Sequence, residues 1–169
     1  MYLAMDKDNL PLPTPALQVQ TAHSDMPLLV NGLYLQTYNF DAINEVWQEI
    51  IPLIDQLTFK SYQGKFNTAD ILKRIISNKQ QTWLARSILT DKIIMVCITE
   101  IVEYPQRKAL YISDVVGANS ERWLWIDEEI TKWAKQIGCT LVEAQGRLGW
   151  LKKVPKDYKA TRISFSKDI

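Results

Sequence analysis

Ala109-Leu-Tyr-Ile-Ser-Asp-Val-Val116, followed by Gly117-Ala-Asn-Ser-Glu-Arg-Trp-Leu-Trp125-Ile-Asp-Glu-Glu-Ile130-Thr-Lys-Trp-Ala134-Lys-Gln-Ile-Gly138 and then Cys139-Thr-Leu-Val-Glu-Ala144, is the stretch that decides the fold. The first piece is β-branched and apolar, as a buried strand is. In the second, Trp123, Ile126, Ile130, Trp133, Ala134 and Ile137 recur at helical spacing and keep one face apolar. Asn119 or Ser120 is placed to cap this helix, and Gly138 stands where a C-terminal glycine takes the left-handed conformation. Glu121, Asp127, Glu128 and Glu129 load its N-terminal half, which suits the helix dipole. In the third, Thr140 to Ala144 returns to strand character. A helix of this length makes the two flanking strands parallel, as a right-handed βαβ unit.

Upstream, residues 33–38 alternate as a short strand. Asp41 is a good N-cap, and Ile43, Val46, Trp47, Ile50 and Ile54 follow at helical spacing, with Pro52 expected to bend or end the helix early. Asn67 caps a second helix, with Asp70 three residues on and a buried stripe of Ile71, Leu72, Ile75 and Ile76. Residues 82–87, 93–103 and 109–116 read as strands separated by turns at Thr90-Asp91 and Pro105-Gln106. Short turns make them an antiparallel meander. Downstream, residues 147–153 read as a short helix stopped by Pro155, and residues 158–166 alternate as a last strand.

The whole chain has 169 residues, 47% apolar and 23% charged, with a net charge of +1. That is the composition of a globular chain with one good core. Cys97 and Cys139 sit in apolar runs and read as reduced core residues. A single histidine, His23, argues against a zinc site and against Ser-His-Asp or Cys-His chemistry, so no metal is expected. No apolar run approaches the roughly 20 residues of a membrane span, and the start does not read as a signal peptide. A cytoplasmic location is the expectation. Charge is uneven: residues 1–40 and 41–145 each balance to −2, whereas residues 146–169 carry +5. Those lysines read as a solvated face, and nucleic acid is an unlikely partner.

Residues 1–32 differ from the rest. Leu10-Pro-Leu-Pro-Thr-Pro15 excludes helix and central strand, and favours an extended backbone. The segment still carries Leu10, Leu12 and Leu17, and an apolar extended arm needs a surface to lie on. The expected organisation is an extended Pro-rich arm over 1–32 and a folded domain over 33–169. The fold class is α/β, a twisted mixed sheet with helices on both faces.

From about residue 33 onward, the order of elements resembles the GCN5-related N-acetyltransferase (GNAT) superfamily. The strongest match is Gly146-Arg-Leu-Gly-Trp-Leu-Lys-Lys-Val-Pro-Lys-Asp-Tyr158. It is similar to the family's closing pattern, in which an asparagine opens a short helix, a tyrosine follows six residues later and a Gly-Phe pair precedes the last strand. On that spacing Arg147 stands at the asparagine, Lys153 at the tyrosine and Asp157-Tyr158 at the Gly-Phe pair. The Arg-Leu-Gly-Trp form resembles the small acetyltransferase-like proteins of tailed bacteriophages.

The resemblance implies acetyl-CoA held on backbone N–H groups of a glycine-rich loop that opens the long helix, an anion site of the helix N-terminus. Here that loop has one glycine, Gly117, with Glu121 opposing a phosphate and Arg122 as the expected single cation. For an enzyme, Gly117, Ala118, Asn119 and Arg122 would hold the cofactor. Glu100 and Glu103, with Asp114 as a third, are the candidate bases, and Tyr158 is the candidate acid. The solvent-facing alternation of a sheet edge is the plainer account of these acids. Six tryptophans are many; Trp125 and Trp150 are expected at a partner interface together with Leu10, Leu12 and Leu17.

Two functions compete on this reading. The preferred one is a GNAT-fold protein with a degenerate acetyl-CoA loop and no cofactor. It would act as a non-catalytic structural or assembly component, in a bacteriophage virion, contacting other protein subunits through the arm, as a homo-oligomer or part of a larger assembly. The alternative is a divergent acetyl-CoA-dependent N-acetyltransferase.

Overall fold

The strand–helix–strand unit forms as the sequence predicts. In the computed structural model, which describes residues 29–62, 64–146, 148–161 and 167, strands β5 (Arg107–Gly117) and β6 (Leu141–Ala144) run parallel, Ala109 opposite Leu141 through Ile112 opposite Ala144. The helix between them, α3, spans Ile126–Gln136. Gly138 ends it at φ +85°, the conformation that favours glycine. β1 (Leu29–Val30), β2 (Leu33–Tyr38), β3 (Gln81–Ser87) and β4 (Ile93–Tyr104) complete a six-stranded sheet in sequence order, and every pairing except β5–β6 is antiparallel.

Alternation along β3–β5 sends side chains to two cores. One lies under α3 and holds Trp83, Met95, Cys97, Leu110, Trp123 and Ile130. The other lies under α1 (Trp47–Leu57) and α2 (Thr68–Ser77) and holds Ile50, Ile54, Ile71, Ile75, Leu84 and Ile98. Helices therefore cover both faces. Each of those isoleucines is fully buried and contributes about 1.5–3 kcal/mol of transfer free energy. α2 starts at the predicted cap: Asn67 accepts the Asp70 N–H, and Asp70 accepts the Asn67 N–H.

Five sequence expectations need correction. Pro52 does not end α1, which runs on to Leu57. Pro52 and Gln48, whose carbonyl loses its helical donor, are both exposed, so that carbonyl can be hydrated. Burial of Ile54 and Leu57 beyond the proline outweighs the lost bond. Asp41 is not the cap: a 3₁₀ turn over Ile43–Glu45 precedes α1, whose N-cap is Val46. Ile76 is 44% exposed, because α2 buries only the narrower stripe of Ile71 and Ile75. The long helix begins later than predicted, after a 3₁₀ turn at Ser120–Arg122. Asn119 at φ +53° and two indole N–H groups bonded to loop carbonyls, Trp123 to Ala118 and Trp125 to Arg122, hold the chain out of helix there. Finally, residues 158–161 are not in a strand, and the remaining residues of that predicted strand, 162–166, lie outside the described residues.

The predicted arm falls mostly outside the described residues, Leu10, Leu12 and Leu17 included. Its last part, residues 29–32, is β1 and the turn into β2. Among the described residues no helix is long and apolar enough to cross a membrane, and no group of three His, Cys, Asp or Glu could hold a metal ion.

Candidate functional site

β5 and β6 pair over only four residues each, and β5 continues to Gly117 after β6 has ended. The strands part where Ser113 makes a bulge: Ile98 of β4 faces Asp114 while Thr99 faces Ile112, so Ser113 has no partner. The opening beyond is bordered by the 118–122 loop and by a 3₁₀ helix at Leu148–Lys152. Trp150 of that helix packs over Gly146, and its ring lies 6.0 Å from the Trp123 ring. A cleft of about 80 Å³ remains between the end of α1 and β5, lined by Leu57, Lys60, Ser61, Val116, Gly117 and Trp150.

Asp114 is the most buried acid in this region, with 6% exposure, which corrects the expectation of a solvent-facing edge. It forms an ion pair with Arg74 of α2 and accepts hydrogen bonds from the Tyr62 hydroxyl and the Ser113 hydroxyl, the last at 3.0 Å. Tyr62 reaches it because α1 continues into a π-helical turn over Thr58–Tyr62, which leaves Phe59 exposed. Burial, and then the bond to Asp114, push the Tyr62 phenol up to about 12. Arg74 also donates to the Tyr62 hydroxyl at 2.8 Å.

The other predicted site residues are scattered. Glu100 lies on the same sheet face as Asp114 and accepts from Gln80 Nε2 at 2.8 Å. Glu103 is exposed, opposite Lys108. Nine residues of strand separate Lys108 from Gly117, about 30 Å, so Glu103 is not part of the opening. Tyr158 lies on the α3 side, where its hydroxyl donates to Asp127 Oδ1 at 2.6 Å. Burial, followed by Asp127, holds that phenol above the ordinary tyrosine range. Glu100 and Tyr158 thus stand on opposite sides of the sheet.

In the loop, Gly117 is required by packing, since a Cβ there would meet Ile94 O at 2.7 Å. The Ala118 N–H points to the same carbonyl at 3.4 Å. Arg122 turns away, with Nη2 3.5 Å from Asn31 O. It is not the single cation: Lys153 Nζ lies 3.1 Å from Ser120 Oγ. Trp125 and Trp150, expected at a partner interface, are both partly buried against the α3-side core. Arg147 lies outside the described residues.

Sequence reading missed Tyr62 and Arg74. A signal was present: an acid inside the apolar 109–116 run needs a buried partner, and Arg74 sits between Ile71 and Ile75 on an amphipathic helix.

No family model matches the chain, and no curated protein matches it. Solved structures do. An aminoglycoside acetyltransferase from an uncultured soil metagenomic sample, solved with sisomicin, superposes with a TM-score of 0.59 at 14% identity, over 82% of this chain and 97% of that one. A GNAT family acetyltransferase of Staphylococcus aureus gives 0.57 at 14%, over 82% and 99%. A Trypanosoma brucei acetyltransferase gives 0.55 at 16%, over 81% and 99%. These likenesses establish the fold as that of the GNAT acetyltransferases.

Proposed function

We propose that the chain is a GNAT-fold protein that does not transfer acetyl groups and serves as a component of a protein assembly. One observation carries the reading. Trp150 packs against Gly146 and Trp123 in the opening between β5 and β6, the place that the fold family gives to acetyl-CoA. The residues present do not fit that cofactor. The space beside Gly146 is taken by the Trp150 indole, and the Ala118 N–H already faces the Ile94 carbonyl. The neighbouring cleft between the end of α1 and β5, which Trp150 also lines, is about 80 Å³.

The acids add support. Asp114 spends its charge on Arg74, and Glu100 spends a lone pair on Gln80. The resemblance of Arg147-Leu-Gly-Trp150 to bacteriophage proteins supports placing the assembly in a phage particle, with the Pro-rich N-terminal arm as its contact to other subunits.

A second reading, an active N-acetyltransferase, is favoured by one feature: Lys153 brings a second cation to the loop beside Arg122. A thiol-release assay with acetyl-CoA and polyamine, peptide or antibiotic acceptors separates the two. The assembly reading expects no release above buffer. Release that Glu100→Gln cuts by about 10²-fold establishes the enzyme.

A further inference from the structure

Residues 58–80 hold Lys60, Lys65, Lys73, Arg74 and Lys79 against a single acid, Asp70, a balance of +4 in a chain whose total is +1. Among the described residues the four lysines enter no ion pair; Arg74 alone is matched, by Asp114. A groove of about 420 Å³ runs along α2 here, lined by Lys65, Phe66, Lys73, Arg74, Ser77 and Asn78. Two acids are close, Asp70 in its lining and Glu100 at its end. Asp70 is engaged in capping α2, and Glu100, at the Asn78 end, accepts from Gln80.

Phe66 stands in this groove with 39% of its surface exposed. It is also held in place. Its ring meets Tyr62 edge-on at 4.9 Å, and the Arg74 guanidinium lies 5.8 Å from its centroid. Arg74 is itself anchored by Asp114 and Tyr62. The ion pair on the sheet therefore props an aromatic ring at the surface between two unpaired lysines.

We propose that this groove docks single-stranded nucleic acid, with a base stacked on Phe66 and the flanking phosphates on Lys65 and Lys73. A fixed ring beside mobile cations is the arrangement that reads a strand without regard to sequence. Ser77 and Asn78 line the rim with their donors already engaged, Ser77 Oγ on Lys73 O at 2.7 Å and Asn78 Nδ2 on Glu100 at 3.4 Å, and each keeps an acceptor oxygen. An acidic protein segment would use the lysines but has no need of the ring.

The test is fluorescence anisotropy with a labelled oligothymidylate of about 15 nucleotides. Two phosphate contacts give a salt slope of about −1.4, so raising salt fourfold weakens binding about sevenfold. Lys65→Glu with Lys73→Glu abolishes binding. Phe66→Ala weakens it at least about fivefold while Phe66→Trp retains it, which separates stacking from folding. Lys152→Glu with Lys156→Glu, in the basic C-terminal segment, changes it by less than about twofold. Absence of binding at low salt overturns the proposal, as does loss of binding in the C-terminal variant alone. If polyglutamate displaces the strand and Phe66→Ala has no effect, the surface takes an acidic protein partner and the proposal is equally overturned.

Discussion

Arg74 of α2 and Asp114 of β5 form an ion pair across the α2–sheet interface, with 20% of the Arg74 side chain and 4% of the Asp114 side chain exposed. The pair ties the π-helical turn, through Tyr62, and α2 to the bulged end of β5, which is distant from both in sequence. Asp114→Ala leaves the mostly buried Arg74 beside an empty site. It should cost about 2–4 kcal/mol by urea denaturation, below the largest values for broken buried pairs because Arg74 keeps some water. Arg74→Met combined with Asp114→Leu should recover most of that loss. A single-variant cost under about 0.5 kcal/mol would show the pair to be idle.

Alkaline stability reads the same cluster. The Tyr62 phenol is raised to about 12 in the folded protein against an ordinary value near 10. A raised folded value means that its contribution is complete below about pH 10 and is lost between about 10 and 12, as the unfolded chain ionises first. Tyr34, Tyr111 and Tyr158 shift the same way, so the measurement is a difference. The stability gap between wild type and Tyr62→Phe should shrink as pH rises through that window; a constant gap would remove Tyr62 from the titration.

Gly117→Ala tests whether that glycine serves packing. Its Cβ would meet backbone at 2.7 and 3.0 Å, Ile94 O and Met95 Cα, neither of which can rotate away. The variant should lose about 1–3 kcal/mol with no ligand present. An unchanged melting temperature would contradict it.

Gly146 and Trp150 should be energetically coupled. A Cβ on Gly146 comes within 3.3–3.4 Å of the indole. Gly146→Ala should cost about 1 kcal/mol in wild type and close to nothing in a Trp150→Ala background. Additive losses in that double-mutant cycle would place the indole elsewhere.

The sheet was legible in the sequence because its signals are local. Alternation marks β2 to β5, Asn67 and Asp70 mark the start of α2, and Gly138 marks the end of α3. The parallel β5–β6 pairing follows from the length of the crossover. The errors fall where tertiary contacts override propensity. Pro52 is carried through α1 by the burial of Ile54 and Leu57, and α3 starts late because Trp123 buries its ring while its N–H finds the Ala118 carbonyl. The site was less legible. Asp114 could be named as an acid on a strand, but its partners Tyr62 and Arg74 come from 52 and 40 residues away. Lys153 meets Ser120 across 33 residues, a proximity that no local pattern encodes.

On the proposed function, the Trp150 indole takes the place of acetyl-CoA beside Gly146. Titration calorimetry of the purified full chain with acetyl-CoA tests it most directly. The expected result is no heat of binding up to about millimolar cofactor, with the chain's melting temperature unmoved. Saturable binding with a Kd in the micromolar range would contradict it, and would require the Trp150 indole to leave its place on Gly146.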